Sequence, residues 1–203
     1  MIKPTYLKDA AKVHKKETCY QGFFRMSKLT IQHKLFDGGW SETFTREMFE
    51  RGEATAVLLY DPKQDIIVLT EQFRVGALDE LSPWQYEVVA GMIDHDQTPT
   101  EVAVRETHEE CGATIEESQL IPVCRYLSSS GGCNEVLHVF YAEVDSTHVD
   151  GIHGLDHESE DIRVCKVPSK EAFAAVENGT IANAATIIAL QWLQLRLLKQ
   201  AQS

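Results

Sequence analysis

Apolar residues recur along this chain at two different periods, and the switch between them marks its elements. Over 54–60 and 66–73 they run almost without interruption (Ala56 to Tyr60, Ile66 to Leu69), as expected of strands buried on both faces. The segment 61–65, Asp-Pro-Lys-Gln-Asp, reads as the turn between them. Further strands are expected at 85–93, 120–127, 135–144 and 161–167, with loops at 75–84, 128–134 and 145–160. The last of these is polar and long enough to be functional or disordered. The C-terminal pattern is helical. One helix is predicted at 170–177, capped by Ser169 and ended before Gly179; another at 184–199 is heavily apolar from Ile187 to Leu198. Strands interleaved with one helix and followed by two more indicate an α+β or α/β sandwich.

The N-terminal quarter reads differently. Residues 1–16 carry little pattern and are expected to be loosely ordered at the extreme terminus. Leu29, Ile31 and Leu35 alternate, Asp37-Gly38-Gly39 offers a turn, and 43–49 forms the return of a hairpin. A hairpin this small cannot stand alone, so it must pack on the rest of the chain or on another subunit. A boundary near Glu50-Arg51-Gly52 therefore divides the chain into a β appendage, 1–52, and a main domain, 53–203.

Composition narrows the partners. The net charge of −12 argues against nucleic acid, and repels an anionic substrate unless a cation or local Arg and Lys intervene. Five cysteines without CxxC spacing point to reduced thiols and a cytoplasmic location rather than a disulfide framework or a zinc site. No apolar run reaches the length of a membrane span, and residues 1–16 are too polar for a signal peptide.

The candidate chemistry lies in 91–113, GMIDHDQTPTEVAVRETHEECGA. Thr98, Pro99 and Glu101 form a capping box with proline at the first helical position, and Gly112 supplies the stop, which predicts a helix over 99–111. Glu106, Glu109 and Glu110 stand at i, i+3 and i+4 on one face, while Thr100, Val104, Thr107 and Cys111 make an opposite face suited to a sheet. Three neighbouring carboxylates repel one another. A divalent cation would compensate, since Mg2+ takes carboxylate oxygens and keeps waters for a phosphate substrate; a solvated acidic face is the plain alternative.

Gly91, Arg105, Glu106, Glu109, Glu110 and Gly112 stand at the spacing of the Nudix box, so the chain resembles the Nudix hydrolase family. EQFR (71–74), EVVAGMI (87–93), GIHGL (151–155), EDIRV (160–164) and IALQWLQL (188–195) are similar to its ADP-ribose pyrophosphatase branch, over about 17–198. Gln97 departs from the box, which usually has Glu there, and Thr107 and Ala113 replace larger aliphatics.

The resemblance implies a Nudix fold, an α/β/α sandwich on a mixed sheet with the N-terminal strands as an antiparallel appendage. It implies hydrolysis of the ADP-ribose diphosphate to AMP and ribose 5-phosphate with Mg2+, Mn2+ being the alternative ion. The metal ligands would be the Ala90 carbonyl, Glu106, Glu109 and Glu110, with Glu160 reaching in, and Glu158 would be the catalytic base. Gly91, Arg105 and Gly112 would be structural, Arg105 orienting the helix carboxylates. Arg74 would contact phosphate, Phe23 and Arg46 would sandwich the adenine, and Glu135 would bind ribose hydroxyls. A homodimer is implied, with Arg46 supplied by the partner subunit. Ser130, where related enzymes often have Pro before Gly131-Gly132, leaves another nucleoside diphosphate sugar open as substrate, and a non-catalytic ligand sensor is the rival of a different class.

Overall fold

The computed structural model describes residues 2–202, apart from the side chain of Asp156. Three strands come first: β1 (Ala11–Gln21), β2 (Arg25–His33) and β3 (Phe44–Glu50). Then follow β4 (Glu53–Asp61), β5 (Ile66–Phe73), β6 (Trp84–Glu87) and β7 (Val89–Met92), and the helix α1 (Pro99–Cys111). The chain continues through β8 (Ile121–Leu127), β9 (Val136–Glu143), β10 (Ile152–His153) and β11 (Ile162–Pro168) to α2 (Ser169–Glu177) and α3 (Ala184–Gln200). Among the described residues, no helix is long and apolar enough to cross a membrane.

The chain divides into two compact units, Met1–Gly52 with Leu127–Glu135, and Glu53–Tyr126 with Val136–Ser203. In the first, β1, β2 and β3 form an antiparallel sheet, with Ala11 opposite His33 and Arg25 opposite Glu50. Residues 11–16 are thus ordered, contrary to expectation. Every residue of β1 is exposed, so no apolar alternation announces the strand. A charged staple substitutes for a core. The Glu50 carboxylate takes Lys16 from β1 at 2.9 Å and both Ser27 and Arg25 from β2, and these partners pull its pKa down to about 2 although burial acts in the opposite direction. The segment 127–135 adds to this unit through Phe49 N–H donating to the Gly132 carbonyl (2.8 Å) and Arg51 N–H to Asn134 Oδ1 (2.9 Å).

The second unit is a three-layer sandwich on a sheet ordered β10-β11-β5-β4-β9-β8, with β6 on β5 and β7 on β4. The sheet is mixed: β4 runs parallel to β9 and antiparallel to β5 and β7. Strand alternation sorts the apolar residues into two cores. Ala56, Leu58, Ile67, Leu69, Val139 and Tyr141 face Ala185, Ala189, Leu190 and Leu193 of α3, together with Ala172 of α2. Val57, Leu59, Val68, Phe140 and Ala142 pack with Ala103 and Cys111 of α1. The continuous apolar runs of β4 and β5 follow from this double coverage.

Three further expectations are corrected. The predicted strand 85–93 breaks at Val88, because β6 pairs with β5 whereas β7 pairs with β4. Ser169 does not cap α2: it is the first helical residue, and Pro168 at the N-cap has no side-chain hydrogen bond to give. The long loop 145–160 carries the short strand β10, held in register by Ile152 opposite Arg163.

Candidate active site

Helix α1 forms as its caps dictate. Thr98 Oγ accepts from Glu101 N–H, the Glu101 carboxylate accepts from Thr98 N–H, and Gly112 closes the other end in the left-handed region at φ 68°. Thr107 and Cys111 are buried against the sheet, but so are Val102 and Ala103, and Val104 is half-buried. The buried stripe is therefore rotated from the expected one, and it takes Glu110 with it. That side chain is 2% exposed rather than sharing a solvated acidic face.

Glu110 accepts from Ala90 N–H at 3.1 Å, which ties the helix to β7. Burial pushes its carboxyl up to about 8; the Ala90 hydrogen bond and Arg74 oppose this, while the charges of Glu106 and Glu160 add to it. Glu106 is raised to about 7, again chiefly by burial, with Arg105 opposing and Glu109 and Glu160 contributing. Glu160 is thus close enough for its charge to be felt at both carboxyls. Arg105 holds two of the three helix carboxylates, Glu109 at 2.6 Å and Glu106 at 2.9 Å.

Gly91 lies beneath Glu106. A Cβ built there would stand 1.9 Å from Glu106 Oε1, so the absence of a side chain makes the space in which that carboxylate lies. Among the described residues, no group of three or more His, Cys, Asp or Glu is gathered closely enough to hold a metal ion alone. What the residues offer is an open set: two largely buried carboxyls with raised pKa, Glu106 in a space kept clear by Gly91 and Glu110 held by the Ala90 amide. That donor set suits a hard divalent cation that completes its shell with water, main-chain carbonyl or substrate oxygens. Oε1 of Gln97, where the box usually has Glu, is buried without a hydrogen-bond partner among the described residues.

The other predicted residues are dispersed. Glu158 is exposed, with His157 Nε2 at 3.6 Å, and Ser159 between it and Glu160 takes a left-handed conformation (φ 57°). Arg74 donates to Glu87 at 2.6 Å. In the N-terminal unit, Phe23 is 86% exposed and stacks edge-on against Phe24, whereas Arg46 lies over Phe44 and pairs in register with Leu29, away from the Arg25–Glu50 end of the sheet near Phe23. Within one chain these two residues are not brought together. Glu135 is ion-paired with Arg51 at 2.8 Å.

Glu87 is a residue to which sequence reasoning assigned no part. It is buried, it accepts from both Arg74 and Asn183 (each 2.6 Å), and Asn183 in turn caps α3 through Thr186 N–H. The fixed position of Arg74 thus derives from the start of α3. The signal was a lone carboxylate at the head of the apolar run EVVAGMI, where an unpaired charge is too costly to leave.

Known proteins resemble this chain in sequence and in fold. Residues 50–191 match the NUDIX domain family. The ADP-ribose pyrophosphatase of Escherichia coli K12 is 44% identical over 201 residues, covering 96% of this chain and 95% of that protein. A GDP-mannose pyrophosphatase of Cronobacter sakazakii is 37% identical over 154 residues, covering 74% and 78%. Among solved structures, an ADP compounds hydrolase superimposes with a TM-score of 0.70 at 17% identity, covering 95% of this chain and 97% of that one, a likeness of fold.

Proposed function

Because the chain belongs to the Nudix family, we propose that it hydrolyses the diphosphate of ADP-ribose to AMP and ribose 5-phosphate with Mg2+. The observation that carries this reading is the pair of carboxyls with raised pKa, Glu106 over the bare backbone of Gly91 and Glu110 on the Ala90 amide, an arrangement that is costly without a cation. Glu106, Glu109, Glu110 and the Ala90 carbonyl would hold the ion, with Glu160 beside them. Bound there, it supplies charge neutralisation for the diphosphate and acidifies water. Arg105 keeps the helix carboxylates oriented, and Arg74, itself fixed by Glu87, contacts a phosphate. Glu158 takes the proton of the attacking water as the new P–O bond forms and the bridging P–O bond breaks.

The nucleoside end is assigned to the N-terminal unit. Tyr20, Phe23, Phe24, Met26 and Phe49 line a shallow apolar concavity there, chemistry suited to a base. Since Phe23 and Arg46 of one chain are apart, the sandwich of the adenine is assigned to Phe23 and the Arg46 of a second copy, with Glu135 on the ribose, and the working species is a cytoplasmic homodimer. The rival reading as a non-catalytic sensor is disfavoured by the intact set Glu106, Glu109 and Glu110, which a pure binder does not need.

A second substrate reading rests on the relative named for GDP-mannose. One panel separates the two: AMP or GMP release from ADP-ribose, GDP-mannose and other nucleotide sugars, with and without Mg2+. Fastest Mg2+-dependent turnover of ADP-ribose is expected. Preferred cleavage of GDP-mannose would move the assignment to the second reading, and no cleavage of any nucleotide sugar would remove the reaction altogether.

A further inference from the structure

Between β10 and β11 the chain makes a short loop that carries both Glu158 and Glu160, and the neck of that loop is built against the end of α1. Two contacts make the junction. The imidazole of His153 lies on the helix terminus: a Cβ on Gly112 would stand 2.9 Å from His153 Cε1. One residue later, Gly154 N–H donates to the carbonyl of Glu109 at 3.4 Å, taking up an acceptor that the last turn of a helix otherwise leaves unsatisfied.

The ring itself is held. His153 Nε2 lies 2.7 Å from the Asp150 carbonyl, and a carbonyl can only accept, so Nε2 is the donor in this bond. The neck is then closed on its far side. Gly154 sits at φ 101°, and a Cβ there would meet the Glu160 Cβ at 2.7 Å and its carbonyl oxygen at 3.0 Å, so the two ends of the loop touch backbone to backbone. Inside it, the amides of Glu158 (2.9 Å) and Glu160 (3.3 Å) both donate to the Leu155 carbonyl. A loop closed in this way is compact, with its two ends adjacent at the neck.

We propose that His153 is a positioning residue: by packing on Gly112 and holding the Asp150 carbonyl, it fixes the neck of the carboxylate loop on the end of the helix that carries Glu106, Glu109 and Glu110. It acts through Glu158 and Glu160 and touches no reacting atom, and the inference rests on the reading of those two as the working carboxylates of a diphosphate hydrolase. Gly112 gains a second task from it. Besides its left-handed backbone, the position must stay free of a side chain so that the ring can lie against the helix.

The test uses three substitutions. His153→Gln keeps a donor able to reach the Asp150 carbonyl, His153→Asn is equally polar but too short, and His153→Ala removes both packing and donor. In metal-free protein, amide hydrogen exchange at Gly154, Glu158 and Glu160 should quicken about tenfold or more in the Ala and Asn variants while core strands exchange as before. With ADP-ribose at saturating Mg2+, kcat should fall roughly 10- to 100-fold in both with KM little changed, as expected when catalytic groups are misplaced by a fraction of an ångström to an ångström. Gln should recover most of either loss.

Unchanged exchange in the Asn variant, or Gln no better than Asn by either readout, would overturn the proposal. So would a loss of kcat that merely follows a general fall in Tm. If the wild-type protein cleaves no nucleotide sugar, the functional reading fails, and the exchange experiment still decides whether His153 holds the loop.

Discussion

Gly91→Ala offers a sharp separation of site from fold. The residue does not occupy the positive-φ region, so alanine meets no backbone strain there. Removing glycine's freedom in the unfolded chain stabilises by about 0.4–1 kcal/mol. Against this stands the new methyl at 1.9 Å from Glu106 Oε1, 2.1 Å from Cδ and 2.4 Å from Cγ. Ordinary contact requires the carboxylate to retreat by about 1.5 Å, at a rotamer cost of about 0.5–1.5 kcal/mol. Those figures nearly cancel, so Tm should change by no more than a few degrees. Activity should not be spared, since a displacement of about 1 Å at a reacting centre costs on the order of 100-fold. Steady-state AMP release across a Mg2+ titration, paired with thermal melts, makes the measurement. Gly76→Ala is the control, because a Cβ there has open space and no unusual φ. A Gly91→Ala protein with wild-type kcat and wild-type Mg2+ dependence would refute the assignment of Glu106 to the cation.

Glu158→Gln should lose about 10²–10⁴-fold in kcat with little change in substrate binding, whereas Glu160→Gln should mainly raise the Mg2+ requirement; if at saturating metal Glu160→Gln is the more damaging, the base is misassigned. Glu110→Gln should abolish most turnover yet stabilise the metal-free protein. A native carboxyl raised to about 8 loses stability as pH climbs from its unfolded value near 4.5, so the gain should reach roughly 3 kcal/mol at neutral pH and vanish in acid, as read from melts across pH. Asp61 is the opposite case. Buried, it accepts from Ser146 N–H and Oγ and from the amides of Lys63 and Gln64, which together hold its carboxyl well below the usual range. Its stabilisation is present above the unfolded value near 3.8 and is lost as pH falls through the depressed native one, so Asp61→Asn should cost about 2 kcal/mol at neutral pH and progressively less in acid, and an equal cost at both would contradict this.

What could be read in advance depended on whether a residue's partner was local. The cap of α1 needs only Thr98, Glu101 and Gly112, all within one short stretch, and its limits came out as Pro99–Cys111. The strands β4 and β5 were equally plain, because burial on both faces leaves only apolar residues to choose from. By contrast, β1 is held by Glu50 through Lys16, a pairing between distant positions with no periodic trace. The division of 85–93 into two strands depends on which neighbour each half meets, which no local pattern encodes. Within the site, the spacing of Glu106, Glu109 and Glu110 was legible but their unequal burial was not, since it depends on how α1 is rolled on the sheet. The contact of His153 with Gly112 joins positions far apart in the chain, and no local pattern announces it.

The parallel pairing of β4 with β9 has a bearing on how the molecule comes to exist. Thr55 and His138, hydrogen-bonded across that pair, are separated by 83 positions. As the chain emerges during synthesis, β4 can engage β5 and β7, and α1 can settle over them, well before β9 has been made. During that interval Val57 and Leu59 have their helix, but the edge that will receive β9 is bare, a state open to pairing with the wrong strand. The carboxylate helix is therefore among the early parts and the loop bearing Glu158 and Glu160 among the late ones. On the roles proposed for Glu158 and Glu160, translation would complete the two sets of carboxylates in sequence, and no nascent chain shorter than about β11 should turn over substrate.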